Sequence, residues 1–352
     1  MKWKWLVLLL SVGVFLLGAC QSKQAVKEGL PVVEKPLTRT ESLLHTVVQI
    51  SIYHENQEEV LEEGLAYVKE MERLLSTNLE GSDIYRINHA AGKEAVKVDS
   101  RTFELIEQAL VMGEKSKGRF DISIGAINNL WRIGSEDARK PSDQEIKEAL
   151  PRVHYKDVQL DKKNQTVAVK EGMVLELGAI SKGYIADGLK ALFASKGITT
   201  AIINLGGNVV VMGSSPAHKE GWKVGVQDPD EVRGTVVGSV YVTDGSVVTS
   251  GIYERYLEVD GVIYHHILNP ATGYPVENNI SGVTVFTKTS TQGDALSTTL
   301  FLLGIDEGRN FIDQLEDVEA VFIDKERGVH LSKGLKGRFE LSNKEYHLVN
   351  DE

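Results

Sequence analysis

The rest of this chain is arranged around the sequence VLELGAISKGYIADGL, from Val174 to Leu189. An apolar run from Met173 to Leu177 predicts a buried strand, which Gly178 ends. Apolar residues then recur near the 3.6-residue period of an amphipathic helix, at Ile180, Tyr184, Leu189 and Leu192. A glycine turn between a strand and a helix directs free N–H groups and the positive end of the helix dipole to one place, which suits a phosphate. An ordinary strand–turn–helix explains this stretch equally well when it is taken alone.

Patterns on both sides of this stretch predict a mixture of helices and antiparallel strands. Helical periodicity predicts helices over residues 60–75, 101–117, 290–303 and 307–315. Alternating or β-branched runs predict strands at 43–53, around 158 and 167, and at 199–205 and 318–324. Short alternating runs separated by turn residues between 209 and 268 are typical of an antiparallel sheet.

Composition limits the classes of partner. The chain has 352 residues, of which 42% are hydrophobic, so it can bury a substantial core without disulfides or metals to staple it. Its formal net charge of -11 carries no compensating basic run. Because phosphate backbones are bound through clustered Lys and Arg, nucleic acid is not expected as a partner.

The N-terminus resembles a lipoprotein signal peptide. Lys2 and Lys4 form a basic start, Leu6 to Leu17 form an apolar segment, and Leu17-Gly18-Ala19-Cys20 has the form of a lipobox. We therefore expect residues 1–19 to be removed and lipid to be attached to Cys20, which is the only cysteine. The apolar segment is short for a membrane span of about 20 residues, which disfavours an uncleaved anchor.

The expected organisation follows from this N-terminus. Residues 20–40 lack apolar periodicity and are predicted to be a flexible tether, and residues 41–345 are predicted to form the folded domain. The protein is expected on the extracytoplasmic face of the cell membrane, attached by its lipid. A single cysteine cannot form an internal disulfide, so the exported domain must be stable through its core.

Four stretches carry residues suited to chemistry: GRFDISIG at 118–125, ELGAISKGY at 176–184, HHILNPATGYP at 265–275 and GDALSTTLFLLG at 293–304. In the last of these, Asp294 and Thr298 are four residues apart and share one face of a predicted helix. A carboxylate and a hydroxyl placed in this way suit Mg²⁺, a hard cation that often bridges to phosphates. A helix cap or a first-turn charge is the more common role of such an aspartate.

His265 and His266 stand where a predicted strand enters an Asn-Pro turn. Adjacent strand residues point to opposite faces, so one imidazole can be buried while the other faces a site. Histidine titrates near neutral pH and can therefore carry protons. The residues alone do not assign either role.

The four stretches, in this order, resemble the ApbE family, the FAD:protein FMN transferases, which are commonly exported lipoproteins. The similarity extends from about Leu43 to Asp324 and includes SDIYRIN, NLGGN and the TSGIYERY run at 249–256. The resemblance implies an α+β fold: a single ApbE-like, T-fold-related domain with mixed and antiparallel sheets flanked by helices. It also implies FAD held between the motifs, with Mg²⁺ at its diphosphate.

The resemblance also implies roles for individual residues. Asp294, Thr298 and the carbonyl of Ala179 match metal ligands, and His266 matches the catalytic histidine. Flavin-contact positions fall on Leu44, Asn78, Arg119, Phe120, Asp121, Glu176 and Lys182. This sequence departs from the common pattern at Asn269, where many relatives have Asp, at Asn78, where some have an aromatic residue, and at His45, where Gly often precedes Thr46.

The implied reaction is transfer of FMN from FAD to a Thr or Ser hydroxyl of an exported acceptor protein, with release of AMP. The acceptor motif implied by the family resembles D-x-x-[ST]-G-A-[ST]. Two alternatives stay open from the sequence: an FAD diphosphatase, in which water replaces the hydroxyl, and a flavin-binding lipoprotein without catalysis. The second would leave Asp294, Thr298 and His266 without a common purpose.

Overall fold

The structure, a computed structural model, describes residues 30–349. The predicted signal peptide at 1–19 and the lipidation site at Cys20 lie outside these residues, as does the first part of the predicted tether. Within the described residues, no helix combines the length and the apolar character needed to cross a membrane.

The helices are α1 Glu58–Leu75, α2 Asp83–His89, α3 Ser100–Lys115, α4 Gly125–Trp131, α5 Asp143–Ala149, α6 Ser181–Ser195, α7 Ser290–Leu303 and α8 Ile305–Ile312. Helices α1, α3, α6, α7 and α8 lie close to the positions that periodicity predicts. Short 3₁₀ turns occur at Leu150–Arg152, Tyr155–Asp157 and Lys333–Leu335. Helix α7 has the predicted bounds, whereas α8 begins earlier than predicted because it follows α7 directly after Gly304.

The strands are more numerous and mostly short. They are β1 Val32–Leu43, β2 Thr46–His54, β3 Val96–Lys97, β4 Gln159–Asp161, β5 Thr166–Ala168, β6 Ala201–Leu205, β7 Asn208–Met212, β8 Trp222–Gln227, β9 Val236–Val242, β10 Gly245–Gly251, β11 Tyr256–Val259, β12 Val262–His265, β13 Ile280–Thr287, β14 Glu319–Asp324, β15 Gly328–Leu331, β16 Glu340–Leu341 and β17 His347–Leu348.

One nine-stranded sheet organises the described chain, in the order β1-β2-β6-β7-β10-β13-β14-β15-β17. All its pairs are antiparallel except β15 with β17. Smaller sheets contain β16-β9-β8, β3-β5-β4 and β11-β12. Helices cover the large sheet, so the predicted α+β class with mixed and antiparallel sheets is confirmed.

Alternation along the strands explains which faces are covered. In β2, Val48, Ile50 and Ile52 are fully buried against α1 and α6, whereas Val47 is 54% exposed on the other face. Strand β13 is buried along its whole length. The helices α7 and α8 cover one of its faces, and the sheet of β8, β9 and β16 covers the other.

The predicted boundary between tether and domain at residue 40 is wrong. Residues 32–43 form β1, which pairs with β2 through a two-residue turn at Leu44 and His45. Both turn residues have positive φ, at 55° and 54°, as a tight hairpin turn requires. Charged residues such as Arg39 and Glu41 hide the strand pattern, because β1 is an edge strand and charges are favoured there. Strand β17 likewise extends the domain beyond the predicted end at residue 345.

The strand predicted at residues 173–177 does not form. This segment makes only an isolated bridge between Val174 and Ile124. The side-chain amide of Asn88 takes the place of a neighbouring strand, because its Nδ2 donates to the Leu175 carbonyl at 3.0 Å and its Oδ1 accepts from the Leu175 N–H at 2.7 Å. The SDIYRIN motif therefore fixes the approach of the chain to helix α6.

Candidate active site

The N-terminal ends of α6 and α7 meet beside a cavity of about 400 Å³. The cavity is lined by every one of the candidate metal, flavin and catalytic residues chosen from the sequence: Leu44, Asn78, Arg119, Phe120, Asp121, Glu176, Ala179, Lys182, His266, Asp294 and Thr298. These residues are far apart in the chain, and the fold brings them together. Their individual roles stay predictions.

The two helices lock each other at this point through reciprocal carboxylates. Asp294 of α7 accepts from the Gly183 N–H of α6 at 2.8 Å, and Asp187 of α6 accepts from the Ser290 and Thr291 N–H groups of α7, each at 2.8 Å. A Cβ on Gly183 would lie 2.2 Å from the Ser290 carbonyl oxygen, so the close approach depends on glycine. The two helix N-termini, held together in this way, form one corner of the cavity.

Asp294, Thr298 and Ala179 supply oxygen atoms to this corner. The Asp294 side chain is buried, and its Oδ1 lies 3.9 Å from the Lys182 Nζ. Thr298 follows one helical turn later, and Ala179 directly precedes Ile180, the N-cap of α6. A set of one carboxylate, one hydroxyl and one carbonyl fits a hard cation such as Mg²⁺, which retains waters and substrate oxygens as its other ligands. Among residues 30–349 there is no cluster of three or more His, Cys, Asp and Glu suited to a metal.

Glu176 lines the same cavity just before the turn at Gly178. Its Oε1 accepts from the Gly178 N–H at 2.7 Å, and its Oε2 accepts from the Asn128 amide at 3.3 Å. Burial raises the pKa of this carboxyl, while the Gly178 hydrogen bond and the charges of Lys182 and Arg255 oppose the rise.

His266 is held by the chain that precedes the β11–β12 hairpin. Its backbone N–H and its Nδ1 both lie within hydrogen-bond distance of the Arg255 carbonyl oxygen, at 3.1 and 3.2 Å. Because a carbonyl only accepts, Nδ1 carries the proton and Nε2 keeps a free lone pair. Burial lowers the pKa of His266 to about 4, so the imidazole is neutral at pH 7.

His265 has a different environment. Its Nε2 donates to the Val276 carbonyl at 3.0 Å, its Nδ1 accepts from the Ile267 N–H at 3.3 Å, and its ring packs edge-on against Phe301. Burial lowers the pKa of His265 as well. Both ring nitrogens are used within the protein, and His265 is not among the residues that line the cavity.

The GRFD stretch combines cavity lining with internal support. Asp121 accepts from the Ser123 N–H at 2.8 Å and hydroxyl at 2.6 Å, and from the Tyr155 N–H at 2.9 Å. Burial raises the pKa of Asp121, and these hydrogen bonds oppose the rise. The Asp121 carboxylate, which the family resemblance predicts to contact the flavin, therefore also stabilises its own loop. Phe120 is buried, and Arg119 lies 3.7 Å from Glu307 at the cavity edge.

Leu44 and Asn78 line another part of the cavity. The Leu44 N–H donates to Glu72 at 2.7 Å, and the Asn78 N–H donates to the Ser76 hydroxyl at 3.1 Å. Gly206 packs here against the β1–β2 turn, because a Cβ on it would lie 2.2 Å from the Thr46 hydroxyl. The two hairpin turns thus form one wall.

Several cavity residues were not chosen from the sequence: Asn128, Asn208, Thr249, Ser250 and Arg255. Asn208 and Arg255 belong to the NLGGN and TSGIYERY stretches, which carry part of the family resemblance. Arg255 is exposed, and its positive charge acts to lower the pKa of Glu176. Only the tertiary structure places these polar groups beside His266 and Asp294.

Comparison with known proteins agrees with this architecture. The ApbE family model matches residues 44–322. The chain is 33% identical to an FAD:protein FMN transferase of Treponema pallidum over 348 residues, covering 94% of each chain. It is 35% identical to one of Klebsiella pneumoniae over 329 residues, covering 93% of this chain and 96% of the relative.

Solved structures share the fold. The ApbE protein of Thermotoga maritima superposes with a TM-score of 0.79 at 34% identity, covering 86% of this chain and 99% of that one. The apo flavinyl transferase ApbE of Pseudomonas stutzeri superposes with a TM-score of 0.77 at 23% identity, covering 88% and 98%. The chain belongs to the ApbE family.

Proposed function

We propose that this protein is an FAD:protein FMN transferase that moves FMN from FAD to a Thr or Ser hydroxyl of an exported acceptor protein. The observation that carries the proposal is the presence, in one cavity, of a neutral His266 with a free Nε2 and of an oxygen-rich corner at two helix N-termini. Phosphoryl-type transfer needs both, a proton acceptor for the incoming hydroxyl and a site for diphosphate charge.

The diphosphate of FAD would lie at the corner formed by α6 and α7. Asp294, Thr298 and the Ala179 carbonyl would hold Mg²⁺ there, which supplies charge neutralisation for the diphosphate and the departing AMP. The Lys182 ammonium, 3.9 Å from Asp294, adds a second positive charge at the same point. The positive end of the α6 dipole would add a fixed partial charge at the same point.

The acceptor hydroxyl would approach from the side of His266. Its oxygen attacks the phosphorus of the FMN part, its proton passes to Nε2, and the bond to AMP breaks. The Arg255 carbonyl keeps the ring in the correct tautomer throughout, because it binds the proton on Nδ1. The product is FMN joined to the acceptor by a phosphoester.

Incubation with FAD, Mg²⁺ and a purified acceptor domain bearing a D-x-x-[ST]-G-A-[ST] motif tests this proposal. Mass spectrometry should find one FMN on the acceptor, and none when the hydroxyl residue of the motif is changed to Ala or when EDTA is added. Release of FMN and AMP at the same rate with and without acceptor, and no labelled acceptor, would show an FAD diphosphatase instead. Tight FAD binding that needs no metal and produces neither product would show a flavin-binding protein.

We also propose that the protein is a membrane lipoprotein on the extracytoplasmic face. The support is the lipobox ending at Cys20 and the basic and apolar segments before it. A Cys20→Ser variant should leave the detergent phase in a phase-partition experiment, whereas the wild type should stay in it. Identical partitioning of the two proteins would contradict lipidation at Cys20.

A further inference from the structure

Asn208 is the first residue of β7 and lines the cavity. The residue is only 2% exposed, and its side-chain Nδ2 has no hydrogen-bond partner. A buried donor left without a partner costs about 1–3 kcal/mol. Folded proteins rarely retain such a group unless something outside the chain satisfies it.

Its position on the sheet places Asn208 beneath the helix corner. Strand residues alternate, so Asn208 shares a face with Val210 and Met212, which pack in the core covered by α1 and α6. Its partner across the sheet is Val248 of β10. The first turn of α7 rests on Val248, because a Cβ on Gly293 would lie 3.0 Å from that side chain. Gly293 immediately precedes Asp294.

Two other buried polar side-chain atoms among residues 30–349 also lack a hydrogen-bond partner. They are the hydroxyl oxygens of Thr102 and Ser290. Neither of these residues lines the cavity, whereas Asn208 does. Of the three, Asn208 alone combines an unused donor with access to a bound molecule.

We propose that Asn208 is a substrate-binding residue whose Nδ2 donates to an oxygen of the FAD diphosphate. The assignment rests on the proposed function, in which the diphosphate lies at the corner of α6 and α7. Diphosphate oxygens only accept hydrogen bonds, so an amide N–H beneath them complements Lys182 and the helix N-termini. The free protein keeps the donor unpaired, and FAD binding satisfies it.

A comparison of Asn208→Leu with the wild type tests this assignment. Replacing an unpaired buried amide by an apolar group of similar size is nearly neutral or stabilising in the free protein. The melting temperature without ligand should therefore stay the same or rise. In the presence of Mg²⁺, the variant should bind FAD and ADP about 10- to 100-fold more weakly, as expected for a lost hydrogen bond to a charged acceptor. Riboflavin, which lacks phosphate, should bind equally well to both proteins.

Thr102→Val is the matched control, because it removes another unpartnered buried polar atom away from the cavity. It should leave the binding of all three ligands unchanged. If Asn208→Leu fails to fold, Asn208→Asp replaces the donor by an acceptor and should weaken ADP more than riboflavin.

Three outcomes would overturn the assignment. A lower melting temperature of Asn208→Leu with unchanged FAD and ADP binding would give Asn208 a purely structural role. An equal loss of riboflavin and ADP binding would place the contact away from the diphosphate. Failure of the wild type to bind FAD and ADP would overturn the proposed function, and the assignment of Asn208 with it.

Discussion

The two halves of the nine-stranded sheet follow the same order of elements. In the first half, β1 and β2 are followed by α1 and α6 and then by β6 and β7. In the second half, β10 and β13 are followed by α7 and α8 and then by β14 and β15. Each half is therefore two strands, two helices and two strands, and the halves join where β7 pairs with β10. The ninth strand, β17, lies at the edge of the sheet outside this repeat.

The halves differ in where additional chain is inserted. The first half has residues 76–180 between its two helices, and the second half has residues 252–279 between its first two strands. The first insertion supplies Asn78, the GRFD stretch, Glu176 and Ala179 to the cavity, and the second supplies Arg255 and His266. The repeated part supplies Lys182, Asp294 and Thr298 from the helices that meet at the junction.

The repeated elements and the insertions therefore contribute different features to the cavity. The repeated elements hold the N-terminal ends of α6 and α7 on a rigid sheet. This fixes the charge of Lys182 and the side-chain oxygen atoms of Asp294 and Thr298 in place. The insertions bring the groups that differ in kind, an imidazole, a guanidinium and a loop carboxylate. Substitutions where α6 meets α7 and substitutions in the insertions should therefore have different consequences.

Asp294→Ala should abolish transfer at ordinary Mg²⁺ concentrations. It removes the only carboxylate among the three candidate metal ligands, and it leaves the buried Gly183 N–H unpaired, which should cost about 1–3 kcal/mol of unfolding free energy. Single-turnover transfer and thermal unfolding measure the two effects.

Asp187→Ala provides the reciprocal control at the same junction. It removes the side chain that caps α7 and should cost about 0.5–2 kcal/mol. Asp187 does not line the cavity, so transfer should persist at temperatures where the variant is folded. Near-normal transfer by Asp294→Ala would reduce Asp294 to the same helix-locking role.

His266→Ala should slow transfer by about 10²–10⁴-fold, which is the usual contribution of a positioned base. FAD affinity should change little, because the α6–α7 corner would still hold the diphosphate after the imidazole is lost. His265→Ala should retain most of the activity and lower the melting temperature, since His265 bonds only within the protein. An FAD titration and a single-turnover assay on both variants decide between them, and the reverse pattern would assign the base to His265.

Gly183→Ala should disturb both halves at once. The added Cβ would lie 2.2 Å from the Ser290 carbonyl oxygen and 2.8 Å from the Asp294 Cβ, so α6 and α7 must separate. Overpacking of this kind costs about 1–3 kcal/mol. Gly188→Ala is a control on the same helix, because the side chain that it meets is the far end of Tyr67. A larger loss of Mg²⁺ affinity in Gly183→Ala than in Gly188→Ala would show that the junction shapes the metal corner.

The pH dependence of kcat/KM should show the smallest effect. The base must be neutral to act, and burial lowers the pKa of His266 to about 4. Activity should therefore persist as pH falls through 6.5, the ordinary value for histidine, and decline only near pH 4. Burial raises the pKa of Glu176, so the profile should be repeated on Glu176→Gln to separate the two groups. A decline centred near pH 6.5 in both proteins would contradict the lowered pKa of His266.

Sequence patterns predicted the elements whose signals are local. Helices α1, α3, α6 and α7 follow from apolar residues spaced at the helical period, and they form at nearly the predicted positions. The residues chosen through the family resemblance all line one cavity. Short motifs that combine glycine with polar residues were therefore informative about the site before any contact was known.

Elements that depend on distant partners were predicted less well. Strand β1 resembled a tether because an edge strand tolerates charge, and only its pairing with β2 shows that it is a strand. Residues 173–177 had the apolar pattern of a strand, but the amide of Asn88 satisfies the backbone of Leu175 in place of a neighbouring strand.

By itself, the sequence determined the helical faces, the four motifs and the position of Asp294 and Thr298 on one helical turn, because each of these depends on spacing within a short segment. The tertiary structure decided which histidine faces the cavity, which tautomer His266 adopts, and that Asn208 keeps an unpaired donor beneath α7. These features depend on contacts between residues far apart in the chain, such as Gly183 with Ser290, and local periodicity carries no information about such contacts.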